Sequence, residues 1–98
     1  MKTFFGGIFI KRKFLEEEGI DYPIRLEYYK TEREEKNVET KYGVKIIKKE
    51  YLEGNVKIET KECNNITNNL AKEKQILTLL KNNEVTPIGL EDVLRELI

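Results

Sequence analysis

The sequence contains no histidine, no serine and no tryptophan, and Cys63 is its only cysteine. The chain therefore lacks members of the Ser-His-Asp and Cys-His catalytic groups and the imidazole ligands of many zinc sites. One cysteine forms no disulfide within the chain, and without a histidine base we expect Cys63 to be structural. We predict a protein that is not an enzyme and that holds neither a cofactor nor a metal ion.

Long apolar segments are also lacking. The run from Phe4 to Ile10 is far shorter than the roughly 20 residues that a membrane-spanning helix needs. It is followed by Lys11, Arg12 and Lys13, where a secretory signal peptide would have small residues for cleavage. We therefore predict a cytoplasmic protein with no membrane contact.

The length of 98 residues fits a single domain over residues 1–98, with residues 1–10 as a candidate N-terminal arm. The 18 basic and 18 acidic side chains cancel. Their distribution is uneven, because basic residues predominate in residues 1–13 and acidic residues in 84–98. A neutral total argues against a partner recognised mainly through its phosphates.

The first two-thirds of the chain has the pattern of β-strands. We predict strands over residues 8–15, 24–28, 38–46 and 56–60. Residues 24–28 and 38–46 alternate between apolar and polar side chains, which places Tyr28 and Tyr42 on the inward faces of their strands. Gly54 or Asn55 supplies the positive φ for a hairpin between the last two strands. Short connections then favour an antiparallel meander.

The last third has helical periodicity. Leucines and isoleucines recur at helical spacing between Leu70 and Leu80, with Lys72, Glu73, Lys74 and Lys81 on other faces of the cylinder. A second helix is predicted from Thr86 as N-cap and Pro87 at the first helical position. The predicted fold class is α+β: a four-stranded antiparallel meander followed by a C-terminal two-helix hairpin packed on one sheet face.

The C-terminal half resembles a known family. The segments that carry the resemblance are residues 42–46 with the following hairpin, and the run from Leu79 through Val85-Thr86-Pro87-Ile88 to Leu94. They are similar to small uncharacterised proteins of spore-forming, low-GC Gram-positive bacteria. The resemblance implies a small cytoplasmic bacterial protein and no particular site.

Two apolar features are candidates for binding a partner. The N-terminal arm carries Phe4, Phe5, Ile8 and Phe9 beside a Gly-Gly pair, and it either folds back as a first strand or binds in trans to a partner or a second copy. Tyr29, Ile47 and Tyr51 fall on the outward faces of their strands and form a candidate contact patch on the uncovered sheet face. The favoured function is a non-enzymatic adaptor, inhibitor or regulator that acts through protein contact.

The alternative function is a nucleic-acid-associated regulator. Lys11, Arg12 and Lys13 form a basic cluster next to Phe9 and Phe14, and such a combination is able to hold phosphates and stack bases. Three charges alone bind phosphate weakly, so we favour a solvated strand edge as the interpretation of this cluster over a phosphate contact.

Overall fold

An antiparallel sheet whose four strands lie in sequence order makes up most of the computed structural model, which describes residues 1–33 and 41–97. The strands are β1 (Lys2–Ile10), β2 (Ile24–Arg33), β3 (Lys41–Leu52) and β4 (Asn55–Thr67). The helices are α1 (Leu70–Asn82) and α2 (Leu90–Leu97), and short 3-10 turns occur at Arg12–Phe14, Glu16–Glu18 and Pro87–Gly89. The predicted α+β fold, a four-stranded antiparallel meander followed by two C-terminal helices, is confirmed.

The position predicted for the first strand was wrong. The strand is β1, Lys2–Ile10, and the chain turns through 3-10 geometry after Lys11 so that Leu15 becomes buried. β1 pairs with β2 over most of its length, and a bulge between Phe4 and Gly6 accommodates one additional residue. The glycines next to the bulge therefore do not prevent strand formation, and residues 2–10 fold back onto their own sheet.

The two central strands are longer than the alternating segments that predicted them. β2 and β3 pair without a register shift from Ile24 opposite Glu50 to Arg33 opposite Lys41. The first residues of the predicted third strand, 38–40, lie outside the described residues. β3 and β4 form the predicted hairpin, in which Gly54 has a φ of 73°.

One face of the sheet forms the core with the helices. Leu26 and Tyr28 of β2 and Val44 and Ile46 of β3 alternate onto this face and are at most 1% exposed. They belong to one cluster with apolar residues of both helices, namely Ile76, Leu77, Leu80, Leu90 and Leu94. The Tyr28 hydroxyl donates a hydrogen bond of 2.9 Å to the carbonyl of Val85, between the helices. That bond joins the sheet to the helical layer, and Tyr28 is inward-facing as predicted.

α1 begins with an asparagine cap. The Asn69 side chain accepts a hydrogen bond of 3.0 Å from the backbone N–H of Lys72. Glu73 was predicted to lie off the apolar stripe, and the structure corrects this, since its side chain is fully buried. The reason is that α1 contacts all four strands of the sheet, so a position beside the leucine and isoleucine stripe is covered as well.

α2 begins later than predicted. Thr86 and Pro87 start a 3-10 turn over Pro87–Gly89, and the α-helix itself runs from Leu90 to Leu97. Pro87 is buried at the first position of that turn, where its missing N–H needs no partner. None of the helices in the described residues is long and apolar enough to cross a membrane.

Candidate functional site

The sheet face that points away from the helices is the candidate site, and we call it the open face. Strand alternation and the pairing registers place on it residues of all four strands. They are Lys2, Phe4, Gly7 and Phe9 of β1; Arg25, Glu27, Tyr29, Thr31 and Arg33 of β2; Lys41, Gly43, Lys45, Ile47, Lys49 and Tyr51 of β3; and Val56, Ile58, Thr60 and Glu62 of β4. The open face therefore combines aromatic, aliphatic and basic side chains.

An apolar cluster occupies the end of the open face near the β3–β4 hairpin. The rings of Phe9 and Tyr51 lie 6.3 Å apart between centroids and are tilted by 49°. Val56 lies opposite Tyr51 in the register, and Ile58 lies opposite Lys49. Phe9, Val56 and Ile58 remain 54%, 46% and 57% exposed. This end consequently presents large apolar side chains to solvent on a continuous stretch of sheet.

A second, aromatic contact lies towards the other end. Phe4 packs edge-on against Tyr29 with centroids 5.5 Å apart, and the Lys2 ammonium sits 4.6 Å from the centroid of the same tyrosine ring. Phe4 is 51% exposed, whereas Tyr29 is half-buried beneath its neighbours.

A hydrogen-bonded carboxylate connects the two ends. Glu27 is 7% exposed, and it accepts hydrogen bonds from Arg25 Nε at 2.8 Å, the Tyr29 hydroxyl at 3.1 Å and Lys49 Nζ at 3.4 Å. Burial alone would raise the pKa of the Glu27 carboxyl, but the hydrogen bonds from Arg25 and Tyr29 and the charge of Lys49 lower it by more. Glu27 is therefore ionised at neutral pH and fixes the positions of three side chains on the open face.

The structure brings most of the predicted contact residues together and separates two of them. Phe4, Phe9, Tyr29, Ile47 and Tyr51 all lie on the open face. Phe5 and Ile8, which were grouped with these residues, do not join the open face, because both pack against the core on the helix side.

The bulge in β1 explains the position of Phe5. Phe4 is paired with Tyr29 and Gly6 with Tyr28, so Phe5 is the additional residue on the β1 side. A Cβ on Gly6 would lie 3.2 Å from the Lys81 side chain, which shows how closely the helical layer approaches the bulge. The alternation of β1 therefore changes phase at this point, which a strict period-2 reading of the sequence does not show.

Sequence reasoning missed the contributions of Val56, Ile58 and Glu27 to the open face. The alternation of Val56 and Ile58 with Lys57 and Glu59 shows that the two apolar residues share a face. It does not show which face the helices cover. Glu27 had no local signal, since a glutamate between apolar residues is typical of a solvated strand position.

The basic cluster lies outside the open face, in the turn that follows β1. Arg12 is 3.7 Å from Glu16 in an exposed ion pair, and Lys13 Nζ lies 5.0 Å from the centroid of the Phe14 ring. Lys11 is exposed at the start of the turn. Part of the positive charge of this cluster is therefore balanced locally.

A groove of about 630 Å³ runs between the end of β1, the following turns and the connection between the helices. Its walls are mainly apolar, with Glu18, Lys48 and Glu84 among its lining residues. Within residues 1–33 and 41–97, no group of three or more cysteine, aspartate or glutamate side chains is placed to hold a metal ion.

Cys63 lies on β4 facing the helical layer, half-buried against the core. Burial and the nearby Glu91 carboxylate raise the pKa of its thiol, whereas Lys61 lowers it by less. Lys61 itself forms an ion pair of 2.7 Å with Glu91. These neighbours disfavour the thiolate, which is the nucleophilic form of cysteine.

The described residues thus define a two-layer α+β protein whose sheet has one covered face and one open face. Residues 7–98 match the model of a family of unknown function, DUF6514, and the chain belongs to that family. No curated protein and no solved structure matches the chain.

Proposed function

We propose that this protein is a non-enzymatic interaction module that binds another protein through the open face. The observation that carries the proposal is the exposure of Phe4, Phe9, Val56 and Ile58, each between 46% and 57%, on one face of one sheet. Single exposed apolar side chains are common, but several on one continuous surface are typical of an interaction site.

The organisation of the open face supports the same function. The charged network around Glu27 holds Arg25, Tyr29 and Lys49 in fixed positions, and the aromatic contacts restrain Phe9 and Tyr51. Side chains that are already ordered lose less conformational entropy when a partner binds. Tyrosine and arginine are also enriched among the residues that dominate interface energies.

The mode of contact that we favour is the sheet face and not a free arm. Residues 2–10 are paired with β2, and Phe5 and Ile8 contribute to the core, so release of this segment would expose apolar surface. Phe4 and Phe9 remain accessible without such a release.

A role as adaptor, inhibitor or regulator, a cytoplasmic location and an origin in spore-forming, low-GC Gram-positive bacteria remain predictions.

The test compares two exposed isoleucines. Ile58 is 57% exposed on the open face, and Ile88 is 82% exposed in the helical layer. We expect Ile58→Asp to abolish affinity capture of a protein partner from the cells that produce this chain, and Ile88→Asp to leave capture unchanged. Equal loss in both variants, or no loss in either, would show that the open face is not the binding surface.

A further inference from the structure

The charge of the open face is strongly positive although the chain as a whole is neutral. The pairing registers place on this face the basic residues Lys2, Arg25, Arg33, Lys41, Lys45 and Lys49 and the acidic residues Glu27 and Glu62. Since the 18 basic and 18 acidic residues of the chain cancel, the rest of the molecule carries the matching excess of carboxylates. The open face is therefore an apolar surface with a positive potential.

The ion pairs among the described residues leave part of the charge of Lys2, Arg25, Lys45 and Lys49 available to a partner. Arg25 and Lys49 both contact Glu27, so two cations share one carboxylate. Within the described residues Lys45 has no ion pair, although Glu62 lies opposite it in the register. Lys2 contacts the Tyr29 ring and no carboxylate among the same residues.

The side chains between these cations indicate a protein and not a nucleic acid. A base-stacking surface needs accessible ring faces. Phe4 and Phe9 are exposed, but the ring of Tyr29 is contacted by both Phe4 and Lys2. Ile47, Val56 and Ile58 present aliphatic groups, which suit the apolar side chains of a protein segment.

We propose that the open face binds an acidic, amphipathic segment of another protein. This proposal rests on the proposed function and adds the chemical class of the partner. Apolar side chains of the segment contact the Phe9–Tyr51 and Phe4–Tyr29 pairs, and its carboxylates pair with the lysines between and beside them.

The spacing of the two aromatic pairs sets the length of the segment. Across the strands, Lys45 is paired with Tyr29 beside Phe4, and Lys49 is paired with Arg25 beside Phe9. The two lysines thus mark the two rows of paired residues, and they are four residues apart, roughly 13 Å along a strand. A helix covers that distance in about nine residues, at about 1.5 Å per residue. An amphipathic helix of three to four turns thus reaches both rows with one apolar stripe.

The experiment measures binding of labelled peptides to the full chain by fluorescence anisotropy. The probe is a helical peptide of about 16 residues with a leucine stripe flanked by glutamates. Matched probes carry glutamine or lysine at the glutamate positions. We expect the acidic peptide to bind, with an affinity that falls as salt is raised, the glutamine peptide to bind at least about tenfold more weakly, and the lysine peptide not to bind.

Variants locate the binding surface. Lys2→Gln together with Lys45→Gln should weaken binding of the acidic peptide by roughly three- to tenfold, since each exposed pair contributes little alone. Lys72→Gln together with Lys74→Gln removes the same charge from the exposed side of α1 and should leave binding unchanged. Ile58→Asp should abolish binding.

The failures are distinguishable. Equal affinity for the acidic and glutamine peptides overturns the assignment of an acidic partner. So does the absence of acidic-peptide binding while Ile58→Asp still abolishes capture of a cellular partner, and in that case the proposed function stands. If a single-stranded oligonucleotide displaces the labelled acidic peptide at a lower concentration than the unlabelled peptide does, the ligand is a nucleic acid instead. A concentration-dependent mass in light scattering that Ile58→Asp removes identifies a second copy, and either result overturns the proposal.

Discussion

Glu73 offers the sharpest test of the energetics of this fold. Its side chain on α1 is fully buried, and neither carboxylate oxygen forms a hydrogen bond with a described residue. Burial raises the pKa of this carboxyl, and the Glu32 carboxylate raises it further. The Lys30 ammonium and the backbone N–H of Gly43 lower the pKa of Glu73, although neither group donates a hydrogen bond of ordinary geometry to it. The effect of burial is larger than both. The native state therefore disfavours ionised Glu73.

We predict that Glu73→Leu stabilises the protein. A buried polar group without a partner costs about 1–3 kcal/mol in mutational data. A carboxylate in the first turns of a helix returns about 0.3–1 kcal/mol through the helix dipole. The expected net gain is thus about 1–2 kcal/mol at neutral pH, or a rise in Tm of roughly 4–16 °C for a domain of this size. Glu73→Gln, which removes the charge and keeps the polar atoms, should gain less.

The pH dependence follows from the direction of the pKa shift. Because the pKa of Glu73 is higher in the folded state, the folded protein holds this proton more tightly than the unfolded chain. The contribution of Glu73 to stability is therefore lost as pH rises from the ordinary pKa of a glutamate side chain towards the raised pKa of Glu73. The advantage of Glu73→Leu over the natural sequence should be smaller near pH 4, where only the cost of the buried neutral carboxyl remains, and reach its full size above that interval.

The assay is urea unfolding followed by circular dichroism across this pH range. Gln75→Leu is the matched control, since Gln75 is exposed on the same helix and reports only the effect of leucine on helix formation. A loss of stability in Glu73→Leu, or a difference from the natural sequence that does not vary with pH, would refute the reasoning. A loss of stability would mean that the carboxylate has a stabilising partner in the native state, and a difference that does not vary with pH would mean that its pKa is not raised by folding.

Two further predictions concern the interior. A Cβ on Gly43 would lie 2.6 Å from Thr31 Oγ1 and also too close to the carbonyl oxygen of Cys63 on the neighbouring strand. Gly43→Ala should therefore lower the free energy of unfolding by about 1–3 kcal/mol. Gly89→Ala, where a Cβ meets no neighbour, is the control and should lower it by less than about 0.5 kcal/mol. Equal thermal midpoints of the two variants would contradict this. Tyr28→Phe removes the hydrogen bond to Val85 and should lower the free energy of unfolding by about 1–2 kcal/mol; an unchanged urea midpoint would show that this bond does not stabilise the fold.

Much of the fold is encoded locally and was predictable for that reason. The period-2 pattern of β2 and β3 specified which of their residues face the same way, and it placed Tyr28 inward and Tyr29, Ile47 and Tyr51 outward as the structure has them. The Asn69 cap and the hairpin at Gly54 depend on interactions within a few residues.

The site was only partly predictable, because its composition depends on pairing between distant strands. Phe5 lies on the helix side because of a bulge in β1. Ile58 joins the open face because the β3–β4 register places it beside Lys49. Glu27 becomes buried because Arg25 on its own strand β2 and Lys49 on the neighbouring strand β3 both contact its carboxylate. None of these relations is visible in a short stretch of sequence.

The sequence by itself determined the order of the strands and helices, the absence of histidine and serine chemistry, and the neutral total charge. Those properties follow from local periodicity and from composition. Only the tertiary structure decided where the charge and the apolar side chains lie, because each strand offers two faces and the helices cover one. Covering that face leaves the opposite one open, and the same choice that buries Tyr28 exposes Phe9, Ile58 and the lysines around them.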